Sequence, residues 1–159
     1  MDVPSDDFFA EMLTKQLGRQ IGTGGSIQAG AQVISRVIAS YGLHPTIVDG
    51  SGLSRSDRSS PDEVVALLRA MWNTPVGGVL SASLPTVGVS GTVQGIAAHT
   101  AAQGRCIAKT GTLNFVTNLA GYCTARDNHV LAFALMIDGP PNGTVYQLLG
   151  RMVPAIAKY

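Results

Sequence analysis

Cysteine, lysine and histidine are scarce in this sequence, and each scarcity closes off a class of chemistry. Two cysteines, no Cys-x-x-Cys pair and three scattered histidines give no ligand set for a metal. No apolar stretch approaches the ~20 residues of a membrane-spanning helix. Lysine and arginine number 11 against 10 acidic residues, a formal net charge of +1. That balance offers nothing to nucleic acid or to an anionic membrane surface. The start, MDVPSDDF, is acidic and polar rather than basic then apolar, so no signal peptide is expected within these residues. Gly22-Thr23-Gly24-Gly25-Ser26 is glycine-rich, but no Gly-Lys-Ser/Thr follows, so it is not a phosphate cradle.

What is present is one domain's worth of chain. At 159 residues it can bury roughly 70% of its unfolded surface. The region 105–137 reads as three strands: Ile107–Leu113, Leu119–Ala125 and Val130–Ile137. Arg126-Asp127-Asn128-His129 separates the last two with turn-forming residues. Upstream, Phe8, Phe9, Met12, Leu13 and Leu17 recur at helical spacing after a cap at Ser5 or Asp6. Gly30–Tyr41 predicts a second helix, with Val33, Ile34, Val37, Ile38 and Tyr41 as its apolar face. Ser60-Pro61-Asp62-Glu63 carries the capping box of a third, whose Val64, Leu67, Leu68 and Met71 face a core. Trp72 reads as packing. Residues 75–92 read as irregular and Val93–Ala102 as a short helix. Thr144–Lys158 predicts a final helix that sets Val145, Leu148, Leu149, Met152 and Ile156 against the sheet. Residues 1–103 are thus mainly helix and loop, and 104–159 hold the strands and the last helix, within a single α+β domain spanning 1–159.

The first strand carries Lys109-Thr110-Gly111. A lysine there is a fixed positive charge able to hold a carboxylate or help move a proton, and Thr110 adds a hydroxyl donor. Gly111 lets a peptide approach the backbone, whose edge can pair with an extended chain. The three residues alone are a weak signal. They stand, however, in a series of ordered blocks: Ser5-Asp6-Asp7 before Ala10-Glu11, DGSGLSR at Asp49–Arg55, SLPTVGVSGT at Ser83–Thr92, AKTGTL, NLAGY and LAFALMI. This series resembles the C-terminal part of the D-alanyl-D-alanine carboxypeptidase/endopeptidase family, the class C low-molecular-mass penicillin-binding proteins of the serine DD-peptidase superfamily.

The resemblance implies a partial β-lactamase/DD-peptidase-like fold: a three-stranded antiparallel sheet, a C-terminal helix and an N-terminal helical part. It implies an acyl-enzyme hydrolase that cuts peptidoglycan stem peptides, exported to the periplasm or cell wall, needing no cofactor and acylated by β-lactams. Ser5 would relay protons. Lys109 and Thr110 would hold the carboxylate of a D-Ala-D-Ala peptide or a β-lactam, and the backbone of Gly111 and Thr112 would pair with it. Asp7 stands where the family's motif has Asn, and an ionised Asp accepts hydrogen bonds without donating any. The family's nucleophile lies in Ser-x-x-Lys. The three lysines here, Lys15, Lys109 and Lys158, follow Met12, Cys106 and Ala155 at that spacing, so the motif is absent. On a strand, Cys106 and Lys109 point to opposite faces. His44, His99 and His129 sit in or beside loops without a motif and read as surface residues.

These 159 residues are accordingly expected to fold without hydrolysing. Two other readings remain: a non-catalytic peptidoglycan-peptide binding module, and an oligomerising fragment that forms a homodimer through an exposed sheet edge. If the first hairpin centres on Asn114-Phe115, Cys106 and Cys123 lie opposite each other within reach of a disulfide. The alternative is two buried free thiols.

Overall fold

The computed structural model describes residues 1–159, which form two compact units. The first comprises Met1 with Asp6–Glu63, and the second comprises Asp2–Ser5 with Val64–Tyr159.

In the first unit, helix α1 (Asp7–Ile21) packs on helix α2 (Ile27–Ala39). The cap of α1 is Asp6, whose carboxylate accepts from Phe9 N–H at 2.8 Å. The glycine-rich loop before α2 ends in a cap as well, since Ser26 Oγ accepts from Ala29 N–H. The apolar periodicity misstates the packing of α1 and, apart from the buried Val33, that of α2 in part. Thr14 and Gly18 of α1 are buried, as are Ala29, Gly30, Ala31 and Val33 of α2. Phe8, Phe9, Leu13 and Leu17 are exposed, as are Val37 and Tyr41. Small residues let the two backbones approach closely, and the large apolar side chains are left outside that seam. The loop after α2 is tied by acidic side chains, one of its own and one from α1. Asp49 accepts from Gly52 and Ser54 N–H, and Glu11 accepts from Ser51 N–H. At the start of helix α3 (Pro61–Trp72) the capping box forms: Glu63 N–H donates to Ser60 Oγ and Ser60 N–H to Glu63 Oε2. The backbone donor of Ser60 holds the Glu63 carboxyl below the usual carboxylate range.

The second unit is built on strands β1 (Cys106–Leu113), β2 (Val116–Thr124) and β3 (Val130–Asp138), antiparallel in the order β1-β2-β3. Asn114 and Phe115 alone join β1 to β2, with Phe115 at φ 62°. Helix α5 (Asn142–Lys158) covers one face of the sheet. Leu119 and Phe133 meet Val145, Leu149, Val153 and Ala157 there, together with Val87, Val93 and Ile96 from the preceding loop. The buried stripe of α5 is therefore 145-149-153-157. Leu148 and Met152, expected against the sheet, are exposed instead. Pro154 is accommodated within the helix and buried.

Residues 75–92 are not uniformly irregular. Helix α4 (Pro75–Ser83) lies there, with Thr74 as cap and Pro75 at its first turn. Gly77 and Gly78 conceal it in the sequence, because glycine is a poor helix former. The expected helix at 93–102 is a 3-10 turn at Gly91–Val93 followed by turns and bends. Ala97 and His99 both take positive φ, which stops a helix from propagating.

Cys106 and Cys123 are joined in a disulfide across β1 and β2. They are directly opposed in the register, with Cα atoms 4.0 Å apart, and both are fully buried. Such a short span belongs to the non-hydrogen-bonded pairs of an antiparallel ladder, where side chains come closest. A bridge over a sequence separation of 17 restricts the unfolded chain. Replacing both cysteines with alanine should cost about 3 kcal/mol. Urea unfolding followed through Trp72, the single tryptophan, checks this. An unchanged midpoint in the variant would mean that the bridge contributes nothing.

Candidate functional site

The alternation of β1 divides its side chains between the two sheet faces. Cys106, Ala108 and Thr110 are buried on the α5 face. Ile107, Lys109 and Gly111 stand on the other, opposite Tyr122, Ala120 and Asn118 of β2. Tyr122 closes one end of that second face. Its ring lies 4.6 Å from that of Trp72, and its hydroxyl donates to Leu68 C=O at 2.7 Å. Burial pushes the Tyr122 phenol above its ordinary pKa, so it remains a neutral donor.

The N-terminal arm Asp2–Ser5 is fixed beside β1 within this unit. Asp2 accepts from Ser83 Oγ at 2.6 Å. Val3 packs on Gly91, whose φ is +57°. A Cβ at Gly91 would fall 2.4 Å from Val3 C=O, so only glycine fits both the turn and the approach. The arm ends in Ser5, itself at φ 57°, a rare conformation for a serine. That backbone turn brings Ser5 Oγ to 2.5 Å from Lys109 Nζ, which donates to it. Lys109 Nζ donates also to Thr110 C=O at 2.8 Å. A hydroxyl that accepts from an ammonium keeps its own proton for another partner, so Lys109 and Ser5 form a short path for a proton.

Thr110 is 8% exposed and donates to Thr92 Oγ1 at 2.7 Å. Thr112 Oγ1 pairs with the Tyr146 hydroxyl of α5 at 2.8 Å. Outside β1, Val87 N–H donates to Cys106 C=O and Ala108 N–H to Pro85 C=O. These bonds fix which groups of β1 face away from β2: those of the even-numbered residues. The same alternation turns the N–H and C=O groups of Thr110 and Thr112 outward, beyond the end of that short bridge. The site is therefore a strand edge with a lysine on one face, a threonine hydroxyl on the other and a serine above.

Of the residues singled out in the sequence, Ser5, Lys109, Thr110, Gly111 and Thr112 fall in this one region. Asp7 is the first residue of α1, in the other unit. His44, His99 and His129 are all exposed. His129 pairs with Asp127 across its own turn at 2.5 Å. Sequence reasoning missed Thr92. It belongs to the quoted SLPTVGVSGT block, but no periodicity links it to a strand residue 18 positions on.

The family model described as the D-Ala-D-Ala carboxypeptidase 3 (S13) family matches residues 1–151. The chain is 35% identical over 163 residues to the D-alanyl-D-alanine carboxypeptidase of Actinomadura sp. (strain R39), covering 98% of this chain and 30% of that protein. It is 32% identical over 161 residues to the carboxypeptidase DacB of Mycolicibacterium smegmatis, covering 94% of this chain and 35% of the relative. The chain thus spans about a third of the length of these relatives. Among solved structures, penicillin binding protein 4 of Haemophilus influenzae, complexed with a β-lactam, superposes with a TM-score of 0.89 at 25% identity, over 100% of this chain and 40% of that one. A β-lactamase from Sphaerobacter thermophilus shares the fold, at a TM-score of 0.61 and 18% identity. The chain is a member of the D-Ala-D-Ala carboxypeptidase 3 (S13) family and carries part of the fold common to penicillin binding protein 4 and that β-lactamase.

Proposed function

We propose that these residues are the C-terminal portion of a serine D-alanyl-D-alanine carboxypeptidase/endopeptidase, supplying the Lys-Thr-Gly side of its peptide groove as part of one transpeptidase-like domain. The observation that carries this reading is the Lys109–Ser5 hydrogen bond beside the edge of β1 that faces away from β2 at Thr110 and Thr112. A stem peptide ending in D-Ala-D-Ala would lie along β1 as an added strand. Its terminal carboxylate, or that of a β-lactam, would sit by Lys109 and the threonine hydroxyls. The outward N–H of Thr112 would donate to the carbonyl under attack, and Ser5 would pass protons between Lys109 and the reacting group.

Gly111 supports the reading in a different way. A Cβ there would meet no atom of this protein nearer than 3.6 Å. Packing does not demand a glycine at that position, whereas a peptide passing over the strand does. The buried disulfide accords with an exported parent, since such bridges persist in oxidising compartments.

No Ser-x-x-Lys occurs in the 159 residues, so binding without acylation is the expected behaviour. Calorimetric titration with a D-Ala-D-Ala peptide should give saturable binding, while mass spectrometry finds no released D-Ala and no penicilloyl adduct. Release of D-Ala, or a covalent adduct, would overturn the claim that the chain lacks a nucleophile. Absence of binding would overturn the assignment of the groove.

A further inference from the structure

We propose that Tyr146 of α5 is a positioning residue for Thr112, and that with Asn142 it clamps the C-terminal end of β1 in the shape a peptide meets. The inference rests on the peptide-binding reading above and assigns two residues which that reading does not use. Thr112 is exposed, so packing does not choose among its side-chain rotamers. A β-branched side chain has few rotamers, and one hydrogen bond is enough to select among them. That bond is to the Tyr146 hydroxyl, 2.8 Å from Thr112 Oγ1. Tyr146 is a firm support, because its ring packs against the core cluster that α5 shares with the sheet. The selection holds whichever oxygen donates, since the contact and not the proton sets the rotamer. Two hydroxyls carry two protons, and either arrangement uses one between the oxygens and leaves the other free.

One turn earlier in α5, Asn142 Nδ2 donates to Leu113 C=O at 3.0 Å. Asn142 and Tyr146 stand four residues apart on one face of the helix and grip consecutive residues of β1. The backbone between β3 and α5 adds a third tie to the same hairpin, from Gly139 N–H to Phe115 C=O at 2.8 Å. Stability alone is a poor account of Asn142. Its Oδ1 is buried without a partner, a cost that an apolar side chain at this position avoids. Nor does this first turn spend its side chains on capping: the cap residue is Pro141, with no side-chain capping bond. The polar groups of the turn are directed to β1, immediately beyond Lys109-Thr110-Gly111. The clamp therefore fixes both the hydroxyl and the backbone of Thr112 before a ligand arrives, and binding needs no ordering of the strand end.

A double-mutant cycle read by calorimetric titration with a D-Ala-D-Ala peptide tests this. Tyr146→Phe should weaken binding about fivefold, the loss expected for one neutral hydrogen bond. In a Thr112→Val background the same substitution should change affinity by less than about twofold, because the hydroxyl it positions is already gone. Asn142→Ala should lower affinity about threefold with little change in the thermal midpoint, since it removes a buried orphan together with one bond. In the ligand-free protein, three-bond couplings of the Thr112 side chain should report one rotamer in wild type and an average in Tyr146→Phe, with those of Thr110 unmoved. A single Thr112 rotamer retained in Tyr146→Phe overturns the proposal, as does unchanged peptide affinity. An equal loss with and without the Thr112 hydroxyl also overturns it, since Tyr146 would then act only through the stability of α5. Failure of wild type to bind the peptide overturns the peptide-binding reading and this assignment with it. Binding by wild type that Tyr146→Phe leaves intact overturns this assignment alone.

Discussion

Replacing Lys109 with alanine is expected to weaken binding of a D-Ala-D-Ala peptide by about 100-fold, the largest single effect on ligand binding in the molecule. Three losses combine in this variant. The ammonium is the charge nearest the proposed carboxylate position, and a charge-assisted bond is roughly twice as strong as a neutral one. Its bond to Ser5 Oγ also disappears, so the arm's terminal serine loses a partner 2.5 Å away. Its bond to Thr110 C=O goes as well, which loosens the strand edge where the peptide would pair. Stability should change little, because Lys109 lies outside the cluster formed by Leu119, Phe133 and Leu149. Lys109→Arg is not expected to rescue binding. The guanidinium is planar and forked, and the site is built around a compact cation on a flexible stem. Isothermal titration on the folded variants checks both statements. Binding of Lys109→Ala within threefold of wild type would remove the lysine from the site.

The largest effect on stability should come from a single methyl group at Gly121. A Cβ there would sit 2.1 Å from the C=O of Ile107 and 2.7 Å from Cα of Ala108, both backbone atoms of the neighbouring strand. Rotation of a side chain cannot relieve this contact, so β1 and β2 would have to separate across the register that carries Lys109. Gly121→Ala should cost about 3–5 kcal/mol, near the top of the range for single substitutions. Since small domains are stable by only about 5–15 kcal/mol, the unit would unfold far more readily. Trp72 fluorescence in urea reports the change, because its ring lies against Tyr122. Gly111→Ala is the control: the added methyl meets nothing closer than 3.6 Å, so stability should hold while peptide affinity falls. Equal stability of the two variants would show that the close approach at Gly121 is relieved in solution.

The contrast between the sheet and the helices explains which parts of the fold are legible in the amino-acid order. The three strands can be read within about three residues because apolar runs of strand length are bounded by turn residues. The faces of α1 and α2 cannot be read in this way. Periodicity picks out Phe8, Phe9, Leu13 and Leu17, while the helices meet through Thr14, Gly18 and Gly30. Hydrophobicity alone does not register the close approach that small residues permit. Helix α4 escapes for a related reason, since two glycines outweigh Thr74-Pro75 in any propensity argument.

The candidate site divides similarly. A lysine on an edge strand and the chemistry it offers follow from Lys109-Thr110-Gly111. The pairing of Ser5 with Lys109 spans 104 positions and was accessible only through the family resemblance. The pairing of Thr92 with Thr110 required the turn geometry of Gly91, which no local pattern encodes. The two cysteines were placed opposite each other by the two-residue turn, and their directly opposed register is what allows the bridge.

The central claim is that the outward edge of β1 at Thr110 and Thr112 receives an extended peptide whose carboxylate lies by Lys109. Amide chemical shifts of the 15N-labelled chain, followed as a D-Ala-D-Ala peptide is added, test it most directly. The account predicts the largest movements at the Thr110 and Thr112 N–H groups, smaller ones at Ser5 and Thr92, and none of these in Lys109→Ala. Shifts confined to the outer edge of β3, or spread over α5 with Thr112 unmoved, would contradict it.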